Sequence, residues 1–96
     1  MTANRPGHLS PLLKQATGVV AERGEGCYII DTEGRRHLDF TAGIGVTSTG
    51  HCHPKVVAAA QEQVGKLIHG QYTTIMHKPI QELSARLGEK MPGDID

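Results

Sequence analysis

Residues 41–50, Thr-Ala-Gly-Ile-Gly-Val-Thr-Ser-Thr-Gly, have the glycine content of a loop that cradles phosphate, and two phosphate patterns can be tried on them. A dinucleotide fingerprint needs glycines at its first, third and sixth places; counting from Gly43 and Gly45 puts Ser48 at the sixth. A Walker A loop needs Lys and then Ser or Thr after its last glycine; Gly45 and Gly50 have the spacing, but His51 and Cys52 follow. Without that lysine no charge meets the β- and γ-phosphates. The plainer reading is that these glycines allow a close backbone approach. His51-Cys52-His53, with Cys27 and His37, supplies imidazole and thiolate ligands for zinc, yet no C-x-x-C pair or second spaced His pair completes four donors. The competing structural reading has His53 donating to nearby carbonyls at a helix start, with Cys52 as a small buried filler. Ser48 or Cys52 with His51 and Asp39 can be drawn as a nucleophilic triad, but no G-x-S-x-G elbow presents the nucleophile. His69 and His77 are read as partners of a carbonyl or water, and Gln71-Tyr72-Thr73-Thr74 as a polar loop of the kind that carries binding groups.

The elements that must position these residues come from a chain of 96 residues with 10 Lys+Arg, 10 Asp+Glu and zero net charge. Such a balance lacks the basic footprint that nucleic acid or an anionic membrane would attract. No apolar run approaches the ~20 residues that span a bilayer. The first eight residues have no apolar h-region, so a cytoplasmic location with Cys27 and Cys52 as free thiols is expected. One Phe, two Tyr and no Trp make for a weak core, because aromatic side chains supply the largest single burial contributions. Composition alone therefore implies that the segment leans on more chain or on a partner.

Residues 1–17, with Pro6, Gly7 and Pro11, read as an irregular arm with a short helical turn near Leu12 to Gln15. Val19-Val20-Ala21, then Cys27-Tyr28-Ile29-Ile30-Asp31, then His37-Leu38-Asp39-Phe40 predict an antiparallel hairpin or three-stranded meander, with a turn at Thr32-Glu33-Gly34. Period two places Leu38 and Phe40 on one face, against Tyr28 and Ile30 or against Ile29 according to register. Pro54 can open an amphipathic helix through Val57, Ala60, Val64 and Leu67/Ile68 up to Gly70. A second helix is predicted from near Pro79, with Ile80, Leu83 and Leu87 on one stripe, ending before Pro92-Gly93. The fold class is α+β: an N-terminal antiparallel meander followed by two amphipathic helices.

The string Leu38-Asp39-Phe40-Thr41-Ala42-Gly43-Ile44-Gly45-Val46, followed by Thr49-Gly50-His51-Cys52-His53-Pro54-Lys55-Val56-Val57, closely resembles the N-terminal region of class III aminotransferases. That family, with its 4-aminobutyrate, acetylornithine and ornithine aminotransferases, consists of pyridoxal-phosphate enzymes of fold type I. The likeness runs from about Gly18 to Gly93 and takes in the Tyr28, Asp31, Gly34 and Arg36 hairpin and Met91-Pro92-Gly93.

The resemblance implies that residues 18–96 are the start of a longer chain and that the large cofactor-binding domain lies outside them. None of Lys14, Lys55, Lys66, Lys78 and Lys90 matches the family's catalytic lysine, so no catalytic, cofactor-binding or metal-binding residue is assigned here and the segment alone is expected to be inactive. It further implies that Ile44 and Gly45 wall the substrate side of the pocket. Ile44 stands where ornithine-type members have Tyr. Tyr72 and Thr73 form a second pocket edge near a dimer interface, with Thr73 departing from members that have Gln there. The implied partners are an amino acid or ω-amine donor, a 2-oxo acid acceptor and further copies of the chain as a homodimer or higher oligomer. Gly50 to Pro54 is assigned to structure. The alternative is a non-catalytic α+β interaction module.

Overall fold

The computed structural model describes residues 7–94, which fall in two compact units divided between Ala58 and Ala59. Part of the expected arm, residues 1–6, lies outside the described residues. In its remainder a turn is closed by the Leu13 amide donating to the Ser10 carbonyl, 3.1 Å.

The first unit holds an antiparallel sheet of order β1-β2-β3, made of β1 (Ala21–Glu25), β2 (Tyr28–Asp31) and β3 (Arg36–Leu38). The expected meander is therefore present. Its first strand begins at the last residue of the Val19-Val20-Ala21 run and extends beyond it, because the tight turn at Gly26 and Cys27 pairs Glu25 with Tyr28 and so brings Arg23, Gly24 and Glu25 into the ladder. Gly26 takes φ +58 there, a conformation that favours glycine. Cys27 lies in that turn and not in the strand. An irregularity between Ala21 and Arg23 shifts the register, and pairing resumes where the Thr32 amide donates to the Val20 carbonyl, 2.9 Å.

Strands β2 and β3 pair Tyr28 with Leu38, Ile29 with His37 and Ile30 with Arg36. This register puts Tyr28, Ile30, Arg36 and Leu38 on one face, and Ile29, Asp31 and His37 on the other. The Arg36 guanidinium sits 4.1 Å from the centre of the Tyr28 ring. Phe40 does not join this face as period two predicted: β3 stops at Leu38, and Phe40 is 90% exposed. The Asp39 side chain turns the backbone away first, as described below.

Among the described residues, burial of apolar side chains centres on Ile30, 5% exposed, beside the carboxylate of Asp31, 2% exposed. Asp31 repays its desolvation through four donors: the Glu33 and Arg35 amides at 2.9 Å, Arg35 Nε at 3.0 Å and His37 Nε2 at 2.9 Å. The turn between β2 and β3 is thus wound about one carboxylate. Gly34, φ +82, completes it as the sequence predicted.

Helix α2 (Pro54–Val64) starts at Pro54 as expected, but it ends at Val64 and not near Gly70. Gly65 follows, and the Gln63 carbonyl accepts from both Lys66 and Leu67, both 2.9 Å, while Gln63 Nε2 donates to the Leu67 carbonyl, 2.9 Å. Propensity and this local closure end the helix one turn early. Helix α3 (Lys78–Lys90) has Pro79 in its first turn and ends at Met91, matching the expected start and stop. No residue of either helix is buried; Val57 of α2 and Ile80 of α3 are the half-buried members of their apolar stripes. No helix among the described residues is long and apolar enough to cross a membrane.

His37, Arg35 and the two amides hold the Asp31 carboxyl well below the usual carboxylate range, with His37 the largest contributor. A depressed folded value stabilises the fold fully above the unfolded carboxylate value, about 3.9, and this contribution is lost as pH falls below it. Amide exchange at Glu33 and Arg35 is expected to accelerate when pH falls from about 5 toward 2, relative to the intrinsic rate, and to be fast at every pH in Asp31→Ala. NMR exchange across that range is the check.

Candidate functional site: a left-handed turn held by a carboxylate

Between β3 and α2 the glycine-rich stretch forms α1 (Ala42–Gly45), a single helical turn of left hand. Ala42, Gly43, Ile44 and Gly45 have φ of +50, +60, +66 and +75. The amides of Gly45 and Val46 donate to the carbonyls of Thr41 and Ala42 at 2.9 and 2.8 Å, and Thr47 shares the Ala42 carbonyl at 3.0 Å. Glycines 43 and 45 take this conformation readily. Ala42 and the β-branched Ile44 do not, since the left-handed form costs roughly 1–2 kcal/mol per residue with a Cβ. Such a backbone persists only where its surroundings over-determine it, and it concentrates at ligand clamps and active sites.

The surroundings here begin with Asp39. Its Oδ1 accepts from the amides of Thr41, 2.9 Å, and Ala42, 3.0 Å, closing the chain on itself just before the turn. Its Oδ2 accepts from His51 Nε2 at 2.7 Å, and both side chains are largely buried. The Asp39 carboxyl is held below its ordinary value, first by the Ala42 amide and next by His51, against the opposing effect of burial. It is therefore a carboxylate at neutral pH. His51 in turn is anchored by its own backbone, which exchanges two hydrogen bonds with Gly26 in an isolated antiparallel bridge, 2.8 and 3.2 Å. The strand-to-helix loop is thereby tied back onto the β1–β2 turn.

This geometry corrects the triad drawn from sequence. Asp39 and His51 do meet, but Nε2 faces the carboxylate and Nδ1 faces Gly24, 3.2 Å from where a Cβ on that glycine would stand. Ser48 borders the same small depression without a hydrogen bond to the imidazole among those described. Cys52 is exposed with φ +57, so it is not a buried filler. His53 does not donate to a carbonyl: its Nδ1 accepts from the Lys55 amide, 3.1 Å, and caps the first turn of α2. No three His, Cys, Asp or Glu residues cluster for a metal ion among the described residues.

Ile44 stands at the crest of the turn, 87% exposed, with Gly45 beside it. In the second unit Tyr72 and Thr73 occupy a tight turn begun by Gln71, φ +55. Gln71 Oε1 accepts from the hydroxyls of Thr73 and Thr74 at 2.6 and 2.8 Å, while Tyr72 borders an apolar depression with Met76 and Ile80. His77 packs its buried Nε2 against Gly70, with no hydrogen-bond partner for that nitrogen among the described residues.

The sequence profile described as aminotransferase class-III matches residues 11–96. The chain belongs to the class III aminotransferases. It is 49% identical over 76 residues to 5-aminovalerate aminotransferase of Pseudomonas aeruginosa and 46% identical over 76 residues to 4-aminobutyrate aminotransferase of Escherichia coli, in each case over 79% of this chain and 18% of the relative. The crystal structure of N-acetylornithine aminotransferase from Stenotrophomonas maltophilia superposes with a TM-score of 0.67 at 41% identity, covering 74% of this chain and 19% of that one. This class III chain thus spans about a fifth of the length of the relatives it matches, and its sheet and helices correspond to the N-terminal portion of a fold type I enzyme.

Class III aminotransferases depend on pyridoxal phosphate, whose attachment requires a lysine with a lowered pKa in a desolvated setting. The residues of this segment do not by themselves fit that role. All five lysines are exposed, and Glu62, 2.9 Å from Lys66 Nζ, raises the pKa of that ammonium instead.

Asp39 as the cap of a left-handed turn was missed in the sequence. The signal was an Asp three residues before Ala-Gly-Ile-Gly, the position from which a short carboxylate can reach the amides that follow it. Ile44→Gly is expected to raise stability by about 1 kcal/mol by removing the left-handed strain, read as a higher denaturant midpoint with unchanged slope.

Proposed function

We propose that residues 18–96 are the N-terminal, small-domain segment of a cytoplasmic aminotransferase that moves an amino group from an amino acid or ω-amine to a 2-oxo acid. Ile44 and Gly45 wall the substrate side of its pocket, Tyr72 and Thr73 form a second edge, and the enzyme works as a homodimer or higher homo-oligomer. The observation that carries this reading is the strained turn that leaves its isoleucine 87% exposed. Backbone strain serving no local packing is the mark of a surface shaped for a ligand. The names of the relatives, acting on 5-aminovalerate and 4-aminobutyrate, favour short ω-amino acids as donors.

The seat of pyridoxal phosphate lies outside these residues on this reading, and the 96-residue chain alone does not transaminate. Purified as such and mixed with pyridoxal phosphate, it is expected to give no saturable protein-bound absorbance and no turnover; saturable binding with turnover would overturn that part of the reading. In the intact enzyme, Ile44→Tyr fills the crest of the turn with a larger ring. It is expected to change the ratio of kcat/KM between a short ω-amino acid and an ornithine-like donor by about tenfold. Steady-state kinetics with both donors check this, and an unchanged ratio would remove Ile44 from the pocket.

A further inference from the structure

We infer that Asp39, His51 and Gly24 act as one positioning device that sets donor selectivity by fixing the direction of Ile44. The inference rests on the reading that Ile44 meets the donor.

Ile44 is 87% exposed in its own unit, so its side chain takes its direction chiefly from its backbone. That backbone is in a conformation its residue type resists. What holds it is a relay of contacts reaching back into the sheet. Asp39 Oδ1 takes the two amides that lead into the turn, and Asp39 Oδ2 is held by His51. His51 is pinned by its backbone to Gly26, and its ring rests on Gly24 of β1. Gly24 is required at this place for space and not for its φ. A Cβ there would stand 2.7 Å from His51 Cβ and 2.8 Å from Cγ, closer than side chains tolerate, so any larger residue must push the imidazole off its seat. Each member acts through the next, and only Ile44 reaches substrate.

The residue that makes this arrangement testable is Gly24, chemically inert, with His51 and Asp39 standing between it and the turn of Ile44. In the intact aminotransferase, Gly24→Ala and Asp39→Ala are each expected to shift the kcat/KM ratio between a four-carbon and a five-carbon ω-amino acid by about tenfold, in the same direction as Ile44→Ala. Combining either with Ile44→Ala is expected to shift it no further, because the two changes remove one interaction. Asp39→Asn keeps the Oδ1 acceptor for both amides and, with the imidazole proton on Nδ1, lets its Nδ2 donate to His51 Nε2, so it is expected to restore most of the wild-type ratio. Hydrogen exchange across residues 42–47 should quicken in Gly24→Ala and Asp39→Ala but not in Asp39→Asn. If Asp39→Ala fails to fold, Gly24→Ala carries the test. A ratio that responds to Ile44→Ala but not to Gly24→Ala overturns the positioning device and leaves the pocket assignment standing. A ratio indifferent to Ile44→Ala, with exchange still quickened in Gly24→Ala, overturns the pocket assignment, and selectivity by this device goes with it.

Discussion

One carboxylate, that of Asp39, stands between the sheet and everything that follows it. It ends β3, because its Oδ1 draws the amides of Thr41 and Ala42 around itself before Phe40 can extend the strand. It starts the left-handed turn by satisfying amides that the reversed hand would leave bare. Through His51 it ties the far end of the loop back to the β1–β2 turn, so α2 begins from an anchored position. A charged acceptor suits these tasks: hydrogen bonds to an ionised group are shorter and about twice as strong as neutral ones.

The sheet follows the same economy. Its buried centre is a single isoleucine next to a single carboxylate, and the turn between β2 and β3 is wound on Asp31 as the loop after β3 is wound on Asp39. Both aspartates engage a histidine and two backbone amides. Local polar closure, not apolar burial, specifies the backbone of this unit. No residue of α2 or α3 is buried, and Leu38, Phe40 and Ile44 are exposed.

On the proposed function, the strained turn has a purpose. A left-handed turn with two non-glycine residues costs free energy in any context and persists only where its surroundings over-determine it. Here the strain is opposed by a chain of contacts and its crest is left exposed. Pre-organisation of this kind lets a side chain discriminate between ligands without being ordered by them.

Local chemistry was legible in the residues themselves. The meander, the turn closed by Gly34, the start of α2 at Pro54 and both ends of α3 follow from strand composition, glycine and proline, because each is decided by neighbours within a few positions. The motif from Leu38 to Val57 likewise carried the family. What sequence could not decide was anything settled by the folded backbone: the end of β3 at Leu38 that leaves Phe40 exposed, the early end of α2, the exposure of Cys52 and the capping role of His53. Most of all it could not show that Asp39 and His51, 12 residues apart, close on one another over Gly24. A carboxylate, an imidazole and a glycine have no periodic relation along the chain. Only the antiparallel return of the backbone, bringing Gly26 beside His51, makes them one site.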